Sequence, residues 1–476
     1  MRQKTLGQQV NNNKPVDSSR LRLGITNFGP ISRGVLDLRP LTVLVGPNGC
    51  GKSHVATLIH SIINAECEMS NLLVLDQKNT FGMKNLVEEA GRIADAHQAG
   101  ADTVNSDIWM LYIDHKFQVL FEMLSANFSS THTNLIRLGE KRFELEVKSE
   151  IINGSISCAD VIDANPTEKI PLIVNFSKHV SAQDLDISKM LHEDGNSLIL
   201  DIPYFSNKAT EAYMIIQWLI APLHFIQAQF ERCIYFPAER GGLTLAYKSL
   251  TLHFYSSLGM TNANLIDSEL TNVSTQFLGL HLMSPDHKTE FASLVESFEE
   301  NALHGNVIAQ ENTTKSLSLA FKKDGSALSL SRSASSVKDL AIFLLYLKHV
   351  AKKGETIILE EPETTLHPDN QILLARLIAK LVNVGLRIVV TTHSPYFLEQ
   401  LSHCVMAGSS QAGKGFREFA DDERLNKDSV AAYSFEEDDG GYKMVPITVD
   451  YEGIPQHDFV NASEKQYNEL LKLEQD

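Results

Sequence analysis

Paired cysteines, membrane-length apolar runs and an excess of basic residues are all missing from this sequence of 476 residues. The five cysteines (Cys50, Cys67, Cys158, Cys233, Cys404) are odd in number, scattered and free of C-x-x-C spacing. That excludes a disulfide framework and a zinc knuckle, and it fits a reducing cytoplasm. The most apolar stretch, Met214 to Ile226, is broken by Gln217, Pro222 and His224 and falls short of the ~20 residues needed to span a bilayer. No membrane helix is expected. Met1 to Arg20 are polar and lack the apolar centre of a secretory signal, so they read as a loose tail. Lysine and arginine number 42 against 59 aspartates and glutamates, a net charge of −17. A generally basic nucleic-acid coat is thereby excluded, although an acidic surface can still carry a local basic groove. Internal repeats are also absent.

What the sequence has is an ordinary globular composition, 43% apolar and 21% charged. Its length favours two or three compact units, because single cores stop growing near ~250 to 300 residues. Strand-like runs over 21 to 45 end in the apolar Leu41 to Val45, and a helix-like run follows from Ser53 to Ile63. Residues 65 to 130 are polar with apolar positions three and four apart, which predicts a helical arm. Phe143, Leu145 and Val147 alternate with charged residues before Asn153-Gly154, a hairpin signal. With Ile170 to Phe176 and Leu198 to Ile202 they predict a small antiparallel sheet. An apolar helix is expected over 210 to 230 and a buried strand at Cys233 to Phe236. A second hairpin is expected around Asp324-Gly325, then a helix from Val337 to Val350. Thr356 to Leu359, Gln371 to Val384 and Arg387 to Val390 read as strand, helix and strand, a βαβ unit. Glu436 to Asp439 with Gly440-Gly441 reads as a hairpin tip, and residues 453 to 473 as a final helix.

Three motifs carry chemistry. Gly46-Pro47-Asn48-Gly49-Cys50-Gly51-Lys52-Ser53 satisfies G-x-x-x-x-G-K-[ST] between an apolar strand and a helix, as a phosphate loop must. Main-chain N–H groups of such a turn converge on phosphate oxygens at the positive end of the following helix. Lys52 would reach the β and γ phosphates, Ser53 would hold Mg2+, and His54 completes the nucleotide-binding set. Thr356-Ile357-Ile358-Leu359-Glu360-Glu361-Pro362-Glu363 is an apolar strand ending in adjacent carboxylates. Ligands of open α/β sheets lie at the carboxyl ends of strands, so Glu360 and Glu361 should face the same phosphates. One can orient Mg2+ and its water while the next polarises the attacking water; taken alone, such a pair is usually a solvated strand end. In Val389-Val390-Thr391-Thr392-His393-Ser394 the histidine follows Glu361 by 32 residues. One βαβ repeat takes about 30 residues, which puts His393 on the same sheet edge in reach of a γ-phosphate or a water.

The trio GPNGCGKS, LEEPETTLHPDNQ and TTHSP resembles the ABC-type ATPase head shared by SMC, OLD and related bacterial defence ATPases, over about residues 21 to 64 and 230 to 400. The resemblance implies an α/β fold, a P-loop mixed sheet flanked by helices, interrupted by a helical and antiparallel-β insertion. It divides the chain into a polar tail (1–20), the head's N-terminal part (21–64), the insertion (65–230), the head's C-terminal part (231–400) and a C-terminal segment (401–476). It makes Glu361 the catalytic glutamate, Glu360 the metal-side acid in place of the usual aspartate, and His393 the switch histidine, with ATP and Mg2+ as cofactors. Leu366-His367-Pro368 would meet a partner subunit. Such heads hydrolyse ATP as dimers, each presenting a serine-glycine signature to the other's γ-phosphate. The counterpart here is Ser333-Ala334-Ser335-Ser336-Val337-Lys338-Asp339, with Ser335, Ser336 and Lys338 as nucleotide contacts, although Ser336 and Val337 stand where glycines are expected. A plain helix N-cap is the other reading of this stretch.

Phe28-Gly29-Pro30-Ile31, Tyr235-Phe236-Pro237-Ala238-Glu239-Arg240, the Ser-Ser-Val-Lys stretch and TTHSPYFLEQL are similar to the PtuA ATPases of the Septu anti-phage system and their relatives in retron operons. That resemblance implies a homodimer of heads or a higher oligomer, a separate HNH nuclease subunit of the PtuB kind and, in the retron setting, a reverse transcriptase with its nucleic acid. Arg240 would organise the nucleotide site or form a buried ion pair with a head carboxylate. An OLD-type nuclease would need a metal-binding domain after His393, where only 83 residues remain. Asp421, Asp422 and Glu423 read as loop acids, so no nuclease activity of its own is expected. An SMC-like repair ATPase would carry long unbroken heptads, and a transporter subunit an intact glycine-rich signature.

Overall fold

The computed structural model describes residues 21–75, 83–101, 103–106, 123–124, 127–128, 143–148, 153–158, 162–166, 172–177, 191–194, 197–203, 232–247, 271–282, 287–311, 317–409, 418–456 and 469. β1 (Leu21–Phe28) and β2 (Ile31–Leu38) alternate buried and exposed positions, the period-two pattern of strands with one wet face. β3 (Leu41–Val45) is buried throughout and leads through the glycine-rich loop into α1 (Lys52–Leu75). Next come α2 (Met83–Gln98), in the stretch read as a helical arm, and β4 (Thr103–Ser106). The inserted section continues with β5 (Phe143–Lys148), β6 (Asn153–Cys158), β7 (Ile162–Pro166), β8 (Leu172–Ser177), β9 (Leu191–Asp194) and β10 (Ser197–Pro203).

After β11 (Cys233–Phe236) and a short helix over 240–247, α3 (Asn272–Gly279) and α4 (Ala292–Phe298) precede a small sheet of β12 (Asn306–Glu311), β13 (Leu317–Lys323) and β14 (Ser326–Ser329). Asp324 (φ 49°) and Gly325 (φ 79°) form its left-handed turn, as their dipeptide predicts. Then follow α5 (Ser335–His349), β15 (Thr356–Glu360), α6 (Pro368–Val384), β16 (Arg387–Thr392), α7 (Pro395–Ala407), β17 (Val430–Asp438) and β18 (Gly441–Ile447). α6 and α7 both open with proline at the first turn behind a side-chain cap, His367 accepting from Asp369 N–H and Ser394 from Phe397 N–H. α6 stops at Gly385 (φ 118°), where an L side chain would be strained. Among the described residues no helix is long and apolar enough to cross a membrane.

Eleven strands form one mixed sheet in the order β11-β15-β16-β3-β17-β18-β2-β1-β5-β6-β7. The pairs from β11 to β17 are all parallel. Their apolar runs follow from burial on both faces by crossover helices. Phe236 on β11 anchors the core beneath α5, with edge-on contacts to Phe343 (5.3 Å), Tyr346 (5.8 Å) and Phe277 of α3 (6.1 Å).

Three sequence expectations change. Asn153 and Gly154 pair with Lys148 and Val147 as the first residues of β6, so they are strand residues and not the hairpin turn. The inserted strands do not make one small antiparallel sheet. β5 to β7 extend the main sheet through β1, while β8 and β10 pair in parallel within a separate sheet ordered β4-β8-β10-β9. Alternation marks a strand but does not name its neighbour. The boundary at residue 400 also fails, because β17 and β18 lie in the middle of the main sheet, between β3 and β2, and the turn at Asp439-Gly440 joins them as expected. The expected helix over 210–230, and the expected final helix apart from residues 453–456 and 469, lie outside the described residues.

Truncating Phe236 to alanine should leave a cavity in this core and lower stability by about 3–5 kcal/mol. The check is the urea midpoint, and a shift worth under ~1 kcal/mol would contradict the packing described.

Candidate nucleotide site

The loop between β3 and α1 turns through Gly49 (φ 77°) and Gly51 (φ 105°), conformations that L side chains rarely adopt. A Cβ on Gly51 would lie 2.9 Å from Ile31 Cγ1 and 3.0 Å from Pro30 Cγ. The stretch from Phe28 to Ile31 is therefore the floor on which the loop rests. The first i to i−4 bond of α1 runs from Val55 N–H to Gly51 O. The N–H groups of Lys52, Ser53 and His54 are left at the positive helix end without intrahelical acceptors. Lys52 is 5% exposed, and its ammonium donates to the carbonyls of Gly46 (3.0 Å) and Pro47 (2.8 Å). Burial lowers its pKa, against the pull of Cys50, Glu361 and Glu360. The His54 ring packs against Phe28 and Phe128 instead, with centroids at 6.3 and 5.2 Å, and burial lowers its pKa. What His54 has to offer a phosphate is its main chain.

Register does the rest. Glu360 on β15 stands opposite Thr391 on β16, and Thr391 opposite Leu44 on β3, so all three strands run out together beside the loop. Glu360 is 6% exposed; its carboxylate accepts from Ala238 N–H (3.2 Å), and the Ser53 and Tyr235 hydroxyls lie close enough to favour its charged form. Burial raises its pKa despite these donors. Glu361 leaves the strand at φ 39°, a left-handed conformation costing a non-glycine residue roughly 1–3 kcal/mol. Its N–H donates to Thr391 O (3.0 Å). Its Oε1 lies 3.3 Å from His393 Nε2, and the proximity of that imidazole is the leading cause that holds the Glu361 carboxyl below the usual range.

Sequence reasoning passed over Glu363. It is 4% exposed and accepts from Thr392 Oγ1 (2.6 Å) and His393 N–H (2.9 Å), so it fixes the main chain on which the histidine turns out of β16. Burial raises its pKa. Its only signal was a third acid two residues past Glu361, in the tight turn at the strand end. Arg240, 1% exposed, forms no carboxylate ion pair among the described residues; it donates to the carbonyls of Pro237, Asp339, Glu360 and Glu361.

Residues 22–398 of the chain match the AAA ATPase domain family. The chain belongs to that family. The match ends before β17 and β18, which complete the sheet of this AAA ATPase domain. No curated protein matches the sequence. Solved structures of similar fold include an SMC head bound to the C-terminal winged-helix domain of ScpA, 10% identical, with a TM-score of 0.37 over 90% of this chain and 97% of that one. The SMC head domain from Thermotoga maritima is 13% identical, with a TM-score of 0.33 over 90% and 99%. An Smc head with an extended coiled coil, bound to the C-terminal domain of ScpA derived from Pyrococcus furiosus, is 11% identical, with a TM-score of 0.35 over 94% and 98%. Likeness at this level carries no functional argument.

Within the AAA ATPase domain the structure gathers Lys52, Ser53, Glu360, Glu361 and His393 at one sheet edge. Ser335, Ser336 and Lys338 are elsewhere: among the described residues no hydrogen bond or ion pair joins them to the loop or the acids. They begin α5 behind Ala334, whose N-cap position has no side-chain bond, so the stretch is not a serine-capped start. Asp421, Asp422 and Glu423 are spent on Arg424, Lys380 and Arg376. His367 caps α6.

Because the nearby His393 imidazole is the leading cause of the low Glu361 pKa, His393→Ala should raise it. The acid limb of residual ATP hydrolysis should then move to higher pH, since the carboxylate is lost earlier as pH falls. A limb that stays in place would show that the pair does not set this ionisation.

Proposed function

We propose that this AAA-family chain is an ABC-type, Mg2+-dependent ATPase working as a dimer of heads, and that it gates a separate HNH nuclease in a Septu- or retron-like anti-phage complex. One observation carries the ATPase part: the loop lysine, the hydroxyl-carboxylate pair Ser53 and Glu360, and the Glu361–His393 pair meet at the carboxyl ends of three parallel strands. The helix-start N–H groups and Lys52 suit a polyphosphate. Ser53 and Glu360 are hard oxygen donors that lie near each other beside the loop, a set that suits Mg2+. When bound, the ion would offset phosphate charge. Glu361 is held ionised and half-exposed, fit to take a proton from water, with His393 holding its Oε1. Ser335, Ser336 and Lys338 at the start of α5 are free to meet the nucleotide of a second head. The defence role rests on the sequence resemblance carried by residues 28–31, 235–240, 335–338 and 391–401.

Lys52→Ala should abolish nucleotide binding, and Glu361→Gln should bind ATP without turning it over and accumulate as dimers in size-exclusion chromatography with ATP. Normal turnover in Glu361→Gln would remove the base assignment. Affinity purification from the native host should recover an HNH nuclease. A second SMC-like subunit would indicate repair instead, and Mg2+- or Mn2+-dependent plasmid cleavage by the pure chain would refute a separate nuclease.

A further inference from the structure

The segment Tyr235 to Arg240 runs out of β11 behind the acid pair. The Tyr235 hydroxyl lies near the Glu360 carboxylate, which accepts from Ala238 N–H (3.2 Å). Arg240 then closes the corner from beneath: Nη1 donates to Glu360 O (2.6 Å) and Pro237 O (3.1 Å), Nη2 to Glu361 O (3.2 Å), and Nε to Asp339 O (3.0 Å). Four carbonyls from three separate chain segments thus converge on one planar group. Asp339 lies in α5, one residue past Lys338. Its carboxylate fills the space beside Gly241, where an added Cβ would fall 1.7 Å from Asp339 Oδ1. A side chain at position 241 would have to displace that carboxylate, so the start of α5 packs closely beside Arg240.

We infer that Arg240 is the positioning residue of the acid pair: it holds Glu361 in its left-handed conformation and ties that conformation to the helix bearing Ser335, Ser336 and Lys338. Glu361 needs such a hold, because its φ of 39° is unfavourable for a residue with a side chain. Its N–H is fixed from β16 by Thr391, its carbonyl by Arg240 and by the Thr364 hydroxyl (2.9 Å). Removing Arg240 takes the shared donor from the Glu360 and Glu361 carbonyls, leaves Glu361 O to Thr364 alone, and loosens the turn that aims the carboxylate. A lysine cannot replace it, since one ammonium cannot span carbonyls that a guanidinium reaches with a fixed fork. The corner also makes the aim of Glu361 depend on where α5 sits, so a partner that displaces α5 through its exposed start would alter hydrolysis without touching nucleotide.

This inference rests on Glu361 being the base, and the two can fail separately. In the full-length chain, ATP affinity with a fluorescent analogue, kcat, KM and melting temperature are measured for wild type, Arg240→Gln, Arg240→Lys, Glu361→Gln and the Arg240→Gln/Glu361→Gln double variant. The expected result is nucleotide affinity within about threefold of wild type and kcat lowered about 100-fold in both Arg240 variants, the cost of misplacing a reacting group by an ångström. The double variant should turn over no more slowly than Glu361→Gln alone. Wild-type kcat in a folded Arg240 variant, or losses that multiply in the double variant, would overturn the positioning role while leaving Glu361 as base. Turnover unaffected in Glu361→Gln would overturn the function itself. Should Arg240→Gln fail to fold, Arg240→Lys decides by the same criteria; failure of both would make Arg240 a structural residue and end the proposal.

Discussion

Glu360, Thr391 and Leu44 stand side by side across three parallel strands, and every other feature of the site depends on that register. A slip of one residue would turn each side chain to the opposite face of the sheet. As built, β3 releases the chain into the glycine-rich loop at the same level at which β15 releases two acids and β16 a histidine. Burial on both faces secures the register, because the strands are flanked by helices and are apolar through their middles.

The edge gathers more charge than a buried surface ordinarily tolerates. Glu360 and Glu363 are almost fully covered, and burial raises both pKa values, while Glu361 beside them stays ionised through His393. Removing one member of such a group leaves its partners unpaired in a low dielectric, so the cluster is held as a unit. Arg240 brings a compensating charge yet spends its hydrogen bonds on carbonyls, which leaves carboxylate oxygens for other partners. At the far end of α5, Lys348 reaches Glu299 (2.9 Å) and Val307 O (2.6 Å) in a second buried cluster. The helix that begins with the exposed Ser335 is therefore fastened to the body at both ends.

Family membership and geometry describe different extents of the same domain. The match to the AAA ATPase domain closes at residue 398, whereas the sheet is complete only with the hairpin of β17 and β18. That hairpin joins the loop-bearing strand β3 to β2, which continues to β1 and to the inserted strands β5 to β7. The insertion thus grows from the sheet of the domain itself through main-chain hydrogen bonds.

Local signals were enough for the glycine-rich loop, the acid-ended strand, the histidine one repeat later, the Asp324-Gly325 turn and the helix between the last two motifs. Each depends on steric or hydrogen-bonding preferences acting over a few residues. Neighbouring strands, by contrast, are chosen by contacts between residues far apart in the chain. So the place of β17 and β18, the division of the inserted strands between two sheets and the pairing of Asn153 and Gly154 within β6 were decided only by the tertiary structure. The same holds for individual side chains. His54 stood in a phosphate-binding position, but folding brought Phe28 and Phe128 to its ring. Whether Arg240 would meet carboxylates or carbonyls, and whether Glu363 would face solvent or His393, depended on packing three distant segments into one corner, and nothing local encodes that.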